Sequence, residues 1–257
     1  MKTPGELTID LIAKSIASLP ANLKNANAEA PKTGTVILAF PYSQGILIAS
    51  DRQVSCGYKV FRTNFPKVFQ VDGFAALAVC GGVSTCQWIL QIYRQIVSQL
   101  KMRIKGDLPL RSQIKVFSQL IRAFASASDL DVGGAFIYAG FDPKRKDAAL
   151  LQFASDGSVF KPNKYHVTDG SGTLEADAVL IEYFLTHTPE NLSLNAAVDL
   201  AIKAICRSAE NDRGVGHPKL NGATVAVIDV KTGFRYVSDE DVEKSLARIE
   251  KKIGGRK

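Results

Sequence analysis

Apolar residues in this chain change their period in blocks, and that grouping limits the fold more than any other feature. From Thr35 onward, residues 35–40 and 45–50 form two apolar runs joined by Pro41-Tyr42-Ser43-Gln44. Residues 67–71 and 74–80 repeat the pattern around the turn dipeptide Asp72-Gly73. After Gly81-Gly82 the spacing shifts to threes and fours, with Val83, Cys86, Ile89, Leu90, Tyr93, Ile96, Val97 and Leu100 predicting a long helix. A second helix is expected from about Leu110 to Ser128. Strands return at 135–141 and 148–154, followed by the turn Asp156-Gly157, with a third near 165–168. Two more helices are expected over 173–186 and 194–210. A hairpin of 223–230 and 234–237 then crosses Lys231-Thr232-Gly233, and a charged helix over 239–253 ends the pattern.

Strands and helices grouped in this way argue for antiparallel sheets with segregated helices, an α+β arrangement, rather than a doubly wound parallel sheet. Two antiparallel sheets packed face to face, with a helix pair on each outer side, would bury every apolar face in a four-layer αββα sandwich. At 257 residues and 46% hydrophobic, the chain has ample material for such a core.

Residues 1–34 differ in texture. A short amphipathic stretch from Leu7 to Leu19 precedes a run from Pro20 to Lys32 dominated by Ala, Asn, Lys and Pro, and the whole reads as an appendage. Asp10 and Lys14 interrupt what would be the apolar heart of a signal peptide, so the cleavage look-alike Ala26-Asn27-Ala28 is discounted. The longest nearly uncharged apolar stretch, Gly73 to Val83, is about half of the roughly 20 residues needed to span a bilayer, so no membrane association is expected. The net charge of +7 is scattered except for Lys251, Lys252, Arg256 and Lys257, which gives no nucleic-acid stripe. Four cysteines (Cys56, Cys80, Cys86, Cys206) show no CxxC pairing, and three histidines (His166, His187, His217) lie too far apart for a local metal motif. Free thiols in a reducing cytoplasm, with no metal and no cofactor, are expected.

No G-x-S-x-G elbow, phosphate loop, dinucleotide glycine fingerprint or HExxH helix is present. The informative place is the junction Gly34-Thr35, where the polar appendage meets the first strand. A cut after Gly34 would give Thr35 a free α-amine beside its own hydroxyl, and such an amine can accept the hydroxyl proton directly or through water. A threonine opening a strand is otherwise commonplace.

Three segments carry a resemblance: Thr35-Val36-Ile37-Leu38-Ala39, Gly45-Ile46-Leu47-Ile48-Ala49-Ser50-Asp51-Arg52 and Pro66-Lys67-Val68-Phe69-Gln70-Val71. Together they resemble the opening of proteasome β subunits, N-terminal-nucleophile threonine peptidases with an acidic residue 16 and a lysine 32 positions after the N-terminal threonine. Here 51 − 35 = 16 and 67 − 35 = 32. Cys80-Gly81 before a helix is similar to the family segment whose glycine amide points into the oxyanion hole. Gly170-Ser171-Gly172 is similar to its Gly-Ser-Gly, and Asn211-Asp212 to the Asp after its fourth helix. The likeness runs from Thr35 to about Arg248 and implies the same αββα fold.

The resemblance implies a pro-segment (1–34) removed after Gly34 and a threonine peptidase domain (35–257) with Thr35, Asp51, Lys67, Gly81, Ser171 and Asp212 in its site. From the residues alone, Asp51 and Lys67 could be a surface ion pair, either Gly81 or Gly82 could relieve a helix start, and Ser171 could serve as turn or cap. Family register places Val54, Phe65, Phe69, Val79, Val83 and Gln87, none of them charged, in the pocket that receives the side chain before the scissile bond. The implied activity is cleavage of unfolded polypeptide inside a ring-shaped chamber in the cytoplasm, after apolar residues. The implied partners are a homo-oligomeric β ring, α-subunit rings and an ATPase regulator. Two positions depart: three residues after Asp212, where active members carry Ser or Thr, stands Val215, which thins the water and amine network. Position 36, where a threonine is commoner, is valine. A ring peptidase outside the proteasome proper, or a non-catalytic ring-building subunit that keeps its pro-segment, remain alternatives.

Overall fold

Side chains alternate between two faces along a strand. In this computed structural model, which describes residues 3–19, 34–56, 59–127, 134–162 and 164–254, that alternation sorts the apolar residues into three clusters. The elements run α1 (Pro4–Ala17), β1 (Ile37–Tyr42), β2 (Gly45–Asp51), β3 (Val54–Cys56), β4 (Lys59–Arg62), β5 (Val68–Asp72), β6 (Ala75–Cys80), α2 (Val83–Ile104) and α3 (Leu110–Ala127). They continue with β7 (Ala135–Asp142), β8 (Asp147–Phe153), β9 (Val159–Phe160), β10 (Val167–Asp169), α4 (Thr173–Phe184), α5 (Leu194–Asn211), α6 (Pro218–Asn221), β11 (Ala223–Asp229), β12 (Gly233–Tyr236) and α7 (Asp239–Gly254). One five-stranded sheet has the order β10-β1-β2-β11-β12, the other β5-β6-β7-β8-β9, and every pairing is antiparallel.

The layers follow from which face each residue takes. Ile37, Ala39, Ile46, Ile48, Ala226 and Ile228 of the first sheet meet Val68, Ala76, Ala78, Ile137 and Ala139 of the second. Their neighbours one residue along, Val36, Leu38, Leu47, Ala49, Val225 and Val227, turn outward beneath α4 and α5. Leu77, Val79, Phe136, Tyr138 and Phe153 turn outward beneath α2 and α3. Helix, sheet, sheet, helix is therefore the stacking, as the block order anticipates. Because β2 is covered on both faces, it reads as a continuous apolar run rather than an alternating one. Phe117 of α3 anchors the second helix layer, with edge-on ring contacts to Tyr93, Phe136 and Phe153 at 4.9–5.3 Å.

Four local readings change. β1 runs on through Pro41 to Tyr42, because β10 pairs only with residues 37–39 and Pro41 lies beyond it, so its missing N–H leaves no ladder bond unmade. The hairpin β3–β4 is absent from the sequence reading; three- and four-residue strands, the second exposed throughout, leave no periodic signal. The same holds for two-residue β9. Last, the appendage opens with a docked helix. Thr3 and Glu6 form a capping box around Pro4, and Leu7, Ile12 and Leu19 enter the cluster shared by α2 and α3. The run from Pro20 to Lys32 and its Ala26-Asn27-Ala28 stretch lie outside the described residues. Among the described residues no helix is long and apolar enough to cross a membrane.

Because Phe117 is fully buried at the centre of four aromatic rings, Phe117→Ala leaves a cavity that its neighbours cannot fill. The expected loss is about 3–5 kcal/mol of unfolding free energy. Urea denaturation of both chains followed by near-ultraviolet circular dichroism measures it.

Candidate active site

The end of the central strand β2 places a carboxylate where water cannot reach it. Asp51 is fully buried, and an ion there is tolerable only if its oxygens are saturated with donors. They are. Oδ1 accepts from the Val36 amide (3.1 Å) and from Lys67 Nζ (2.7 Å), and Oδ2 accepts from the amides of Gln53 (2.9 Å) and Gly216 (3.0 Å). Lys67, just before β5, is buried too, and its Nζ also donates to Thr35 Oγ1 at 2.7 Å. Burial pushes the pKa of Lys67 below its ordinary value, against the opposing pull of Asp51. The surface ion pair that spacing alone would allow is thus an interior bridge between the hydroxyl and the carboxylate.

The loop before α4 closes over Thr35 from the other side. The Thr35 amide donates to Ser171 Oγ (3.0 Å), and the Gly172 amide donates to the Thr35 carbonyl (3.1 Å). Gly170 has φ +103°, and a Cβ there would stand 2.3 Å from the Thr35 carbonyl oxygen, so only glycine lets this loop lie against the threonine backbone. Asp212 caps the end of α5; its Oδ1 accepts from the Gly214 amide, while its buried Oδ2 has no hydrogen-bond partner among the described residues. Asp212 lies close enough to Lys67 to favour its ammonium form.

Gly34, the residue before Thr35, is held at its amide, its carbonyl and its Cα. Its amide donates to Ser55 Oγ (3.2 Å), whose hydroxyl donates to the Gly214 carbonyl (3.2 Å). Thr35 Oγ1 donates to the Gly34 carbonyl at 2.7 Å. A Cβ on Gly34 would fall 2.1 Å from Gly214 Cα, so the two glycines allow backbone to lie on backbone. Ser55, Gly214 and Gly216 escape the sequence reading. The glycines flanking Val215 were the available signal, but a backbone amide or a missing side chain carries no motif of its own.

Gly81, at the end of β6, takes φ +114° while Gly82 is an extended N-cap of α2, which settles which glycine needs its freedom. Phe69 and Val79 belong to the cluster beneath α2; Val83 opens that helix, and Gln87 one turn on is exposed. Val54 lies on β3, and the Phe65 amide bonds the Arg52 carbonyl. Val215 is buried in the α4–α5 cluster, and its Cγ2 would be 2.9 Å from a Cβ on Gly172, so a methyl fills the space where a hydroxyl was expected. Among the described residues, no group of three or more His, Cys, Asp or Glu could hold a metal ion.

Comparison of the sequence with known proteins gives one family. The family described as "Proteasome subunit" matches residues 31–228. Proteasome subunit beta 1 of Pyrobaculum neutrophilum is 28% identical over 203 residues, covering 79% of this chain and 94% of its own. Proteasome subunit beta of Methanopyrus kandleri is 26% identical over 83% of this chain and 96% of its own. Proteasome subunit beta of Acidimicrobium ferrooxidans is 27% identical over 87% and 81%.

The contact between Gly34 and Gly214 is open to a direct test. Gly34→Ala and Gly214→Ala each force two backbones apart and should destabilise the uncut chain by about 1–3 kcal/mol in urea unfolding. Gly73→Ala, whose Cβ would meet nothing within 4 Å, should stay within about 0.5 kcal/mol of the parent.

Proposed function

The chain belongs to the proteasome subunit family, among β subunits, and from that premise we propose that it is a threonine endopeptidase that matures by cutting itself between Gly34 and Thr35. The observation that carries the reading is Lys67 Nζ at 2.7 Å from both Thr35 Oγ1 and Asp51 Oδ1, one residue after the glycine clamp. Residues 1–34 are then the pro-segment and 35–257 the peptidase domain.

The chemistry divides into two stages. In the uncut chain the Thr35 nitrogen is an amide and cannot act as a base. Thr35 Oγ1 adds to the Gly34 carbonyl carbon beside the Lys67 ammonium, and its proton passes through water to the Thr35 nitrogen as the carbon–nitrogen bond breaks. Gly34 then leaves nitrogen for oxygen, which frees the Thr35 amine, and water hydrolyses the resulting ester to release the Gly34 carboxyl group and the Thr35 hydroxyl. In the mature enzyme that amine is the base. It accepts the Oγ1 proton as the hydroxyl attacks a substrate carbonyl, gives the proton to the leaving amine, and later activates the water that releases the acyl group. Lys67, fixed by Asp51, supplies a positive field that favours the ionised oxygen and the neutral amine. The Gly81 amide serves as oxyanion donor, a role whose loss costs about 3 kcal/mol in other enzymes. Ser171 and Asp212 orient the amine and the water, with Val215 contributing packing instead of a hydroxyl.

The substrate is unfolded polypeptide, cut after apolar residues in the pocket of Val54, Phe65, Phe69, Val79, Val83 and Gln87. A pocket with no charge offers nothing to offset the desolvation of an Arg or Glu side chain. We place the subunit in a homo-oligomeric ring with α-type rings and an ATPase regulator, in the cytoplasm.

Intact-mass measurement is the deciding experiment. Wild type should lose residues 1–34; Thr35→Ala should keep them and still fold. A wild type that keeps the segment would favour a ring-building subunit without activity. Peptidase activity of Lys67→Ala and Lys67→Arg should fall by orders of magnitude, since a planar guanidinium does not reproduce a compact ammonium.

Fluorogenic peptides ending in Leu, Phe, Tyr, Arg and Glu read the specificity separately. Leu and Phe should be cleaved best, burial of either contributing about 1.5–3 kcal/mol. A preference for Arg or Glu would reject the pocket.

A further inference from the structure

The peptide unit between Cys80 and Gly81 is held more closely than a strand end requires. It is planar and trans, so the direction of the Cys80 carbonyl fixes that of the Gly81 N–H, which points the opposite way. Cys86 Sγ donates to that carbonyl at 3.8 Å, and a Cβ on Gly134 would fall 2.3 Å from the same oxygen, so the backbone just before β7 lies directly against it. The Cys80 thiol donates to Asp169 Oδ1 at 3.7 Å, and its sulfur accepts from the Ala135 amide. Both cysteines are free and buried. Burial, and the negative charge of Asp169 beside it, raise the pKa of the Cys80 thiol, so it stays an S–H donor.

Asp169 is the far end of this tie. It stands opposite Ile37 where β10 pairs with β1, two residues along from Thr35. Its Oδ1 also accepts from the Gly170 amide at 2.7 Å, and its Oδ2 accepts from Gln152 Nε2 on β8. One carboxylate therefore joins the second sheet, the strand end that carries Gly81, and the loop whose Gly170, Ser171 and Gly172 meet Thr35. We propose that Asp169 is a positioning residue for the peptidase reaction: through Cys80 and the Gly170 amide it fixes the Gly81 N–H relative to Thr35 Oγ1. The inference rests on the oxyanion role given to Gly81 above. An oxyanion donor lowers the barrier only if it already lies where the charge develops, and a misplacement of about 1 Å can cost about a hundredfold in rate. Asp169 needs no contact with substrate for this. Its three partners are neutral donors, so it acts by the geometry of its acceptor oxygens rather than by its charge.

The test uses the full chain, with intact mass giving the mature fraction to which rates are referred. Asp169→Ala should lower kcat on a fluorogenic peptide ending in Leu at least tenfold, leave KM within twofold, and keep the parent's circular dichroism. A peptide aldehyde, whose tetrahedral adduct with Thr35 places an oxyanion at the Gly81 N–H, should bind at least tenfold more weakly, while the same peptide as its unreactive amide binds equally. Asp169→Asn keeps an acceptor oxygen for Cys80 and Gly170 and should return kcat to within threefold of the parent. Cys80→Ala cuts the tie to β6 alone and should lower kcat at least threefold at unchanged KM; it carries the same split if Asp169→Ala does not fold. An Asp169→Ala chain that folds but stays uncut, with Asp169→Asn maturing, supports the same role, because the adduct at the Gly34 carbonyl needs the same donor. A raised KM at unchanged kcat, or Asp169→Asn as impaired as Asp169→Ala, would overturn the positioning role, and parent-like kcat in Cys80→Ala would overturn the route through the thiol. A parent inactive on every peptide would reject the peptidase reading along with this inference; an active parent matched by Asp169→Ala would reject this inference alone.

Discussion

A saturated, fully buried carboxylate organises this molecule. Asp51 draws the Val36 amide at the mouth of β1, the Gln53 amide at the exit of β2, the Gly216 amide from the loop after α5, and the Lys67 ammonium from the second sheet onto two oxygens. Removing any one donor leaves charge without compensation in a place that water does not enter, which is why the four segments hold one geometry. Lys67 is in turn fixed by the carboxylate, so its free donor has a defined direction, and Thr35 Oγ1 lies in that direction.

Around this charged centre, contacts without side chains do the fine positioning. Gly34 rests on Gly214, Gly170 on the Thr35 carbonyl, and Gly172 between Ser208 and Val215. Each contact is closer than a Cβ permits; that of Gly170 sets the loop directly against the Thr35 carbonyl, whereas Gly172 packs on the side chains of Ser208 and Val215. Such packing costs conformational freedom in the unfolded chain but gives little slack in the folded one. Asp169 extends the frame: its carboxylate accepts from Gln152 and Cys80 of the second sheet and from the Gly170 amide, so the loop over Thr35 is tied to the opposite layer.

The two outer helix layers are not equivalent. The layer of α4 and α5 is closed by α7, where Asp199 meets Ser245 and Arg248. The layer of α2 and α3 is closed by α1, a helix from the segment before Thr35. One cover follows Thr35 in the chain and the other precedes it, an asymmetry that gives the segment before Thr35 a structural part of its own.

Much of this was legible in the sequence, and the division has a physical basis. Periodicity revealed the two sheets and the helix pairs, because burial on one or both faces of an element writes itself into apolar spacing. The register of Thr35, Asp51 and Lys67 was visible through the resemblance to proteasome β subunits, since the residues alone equally allowed a surface ion pair and an ordinary strand threonine. What the sequence could not disclose were groups with no side-chain label: the Gly216 amide on Asp51, the Ser55 hydroxyl on Gly34, the closeness of Gly34 to Gly214, and the hairpin β3–β4, too short to have a period. The groove beneath α1 belongs with these. Leu7, Ile12 and Leu19 announced an amphipathic stretch, but which surface it covers depends on distant helices meeting only after both sheets have stacked, and that choice belongs to the tertiary structure alone.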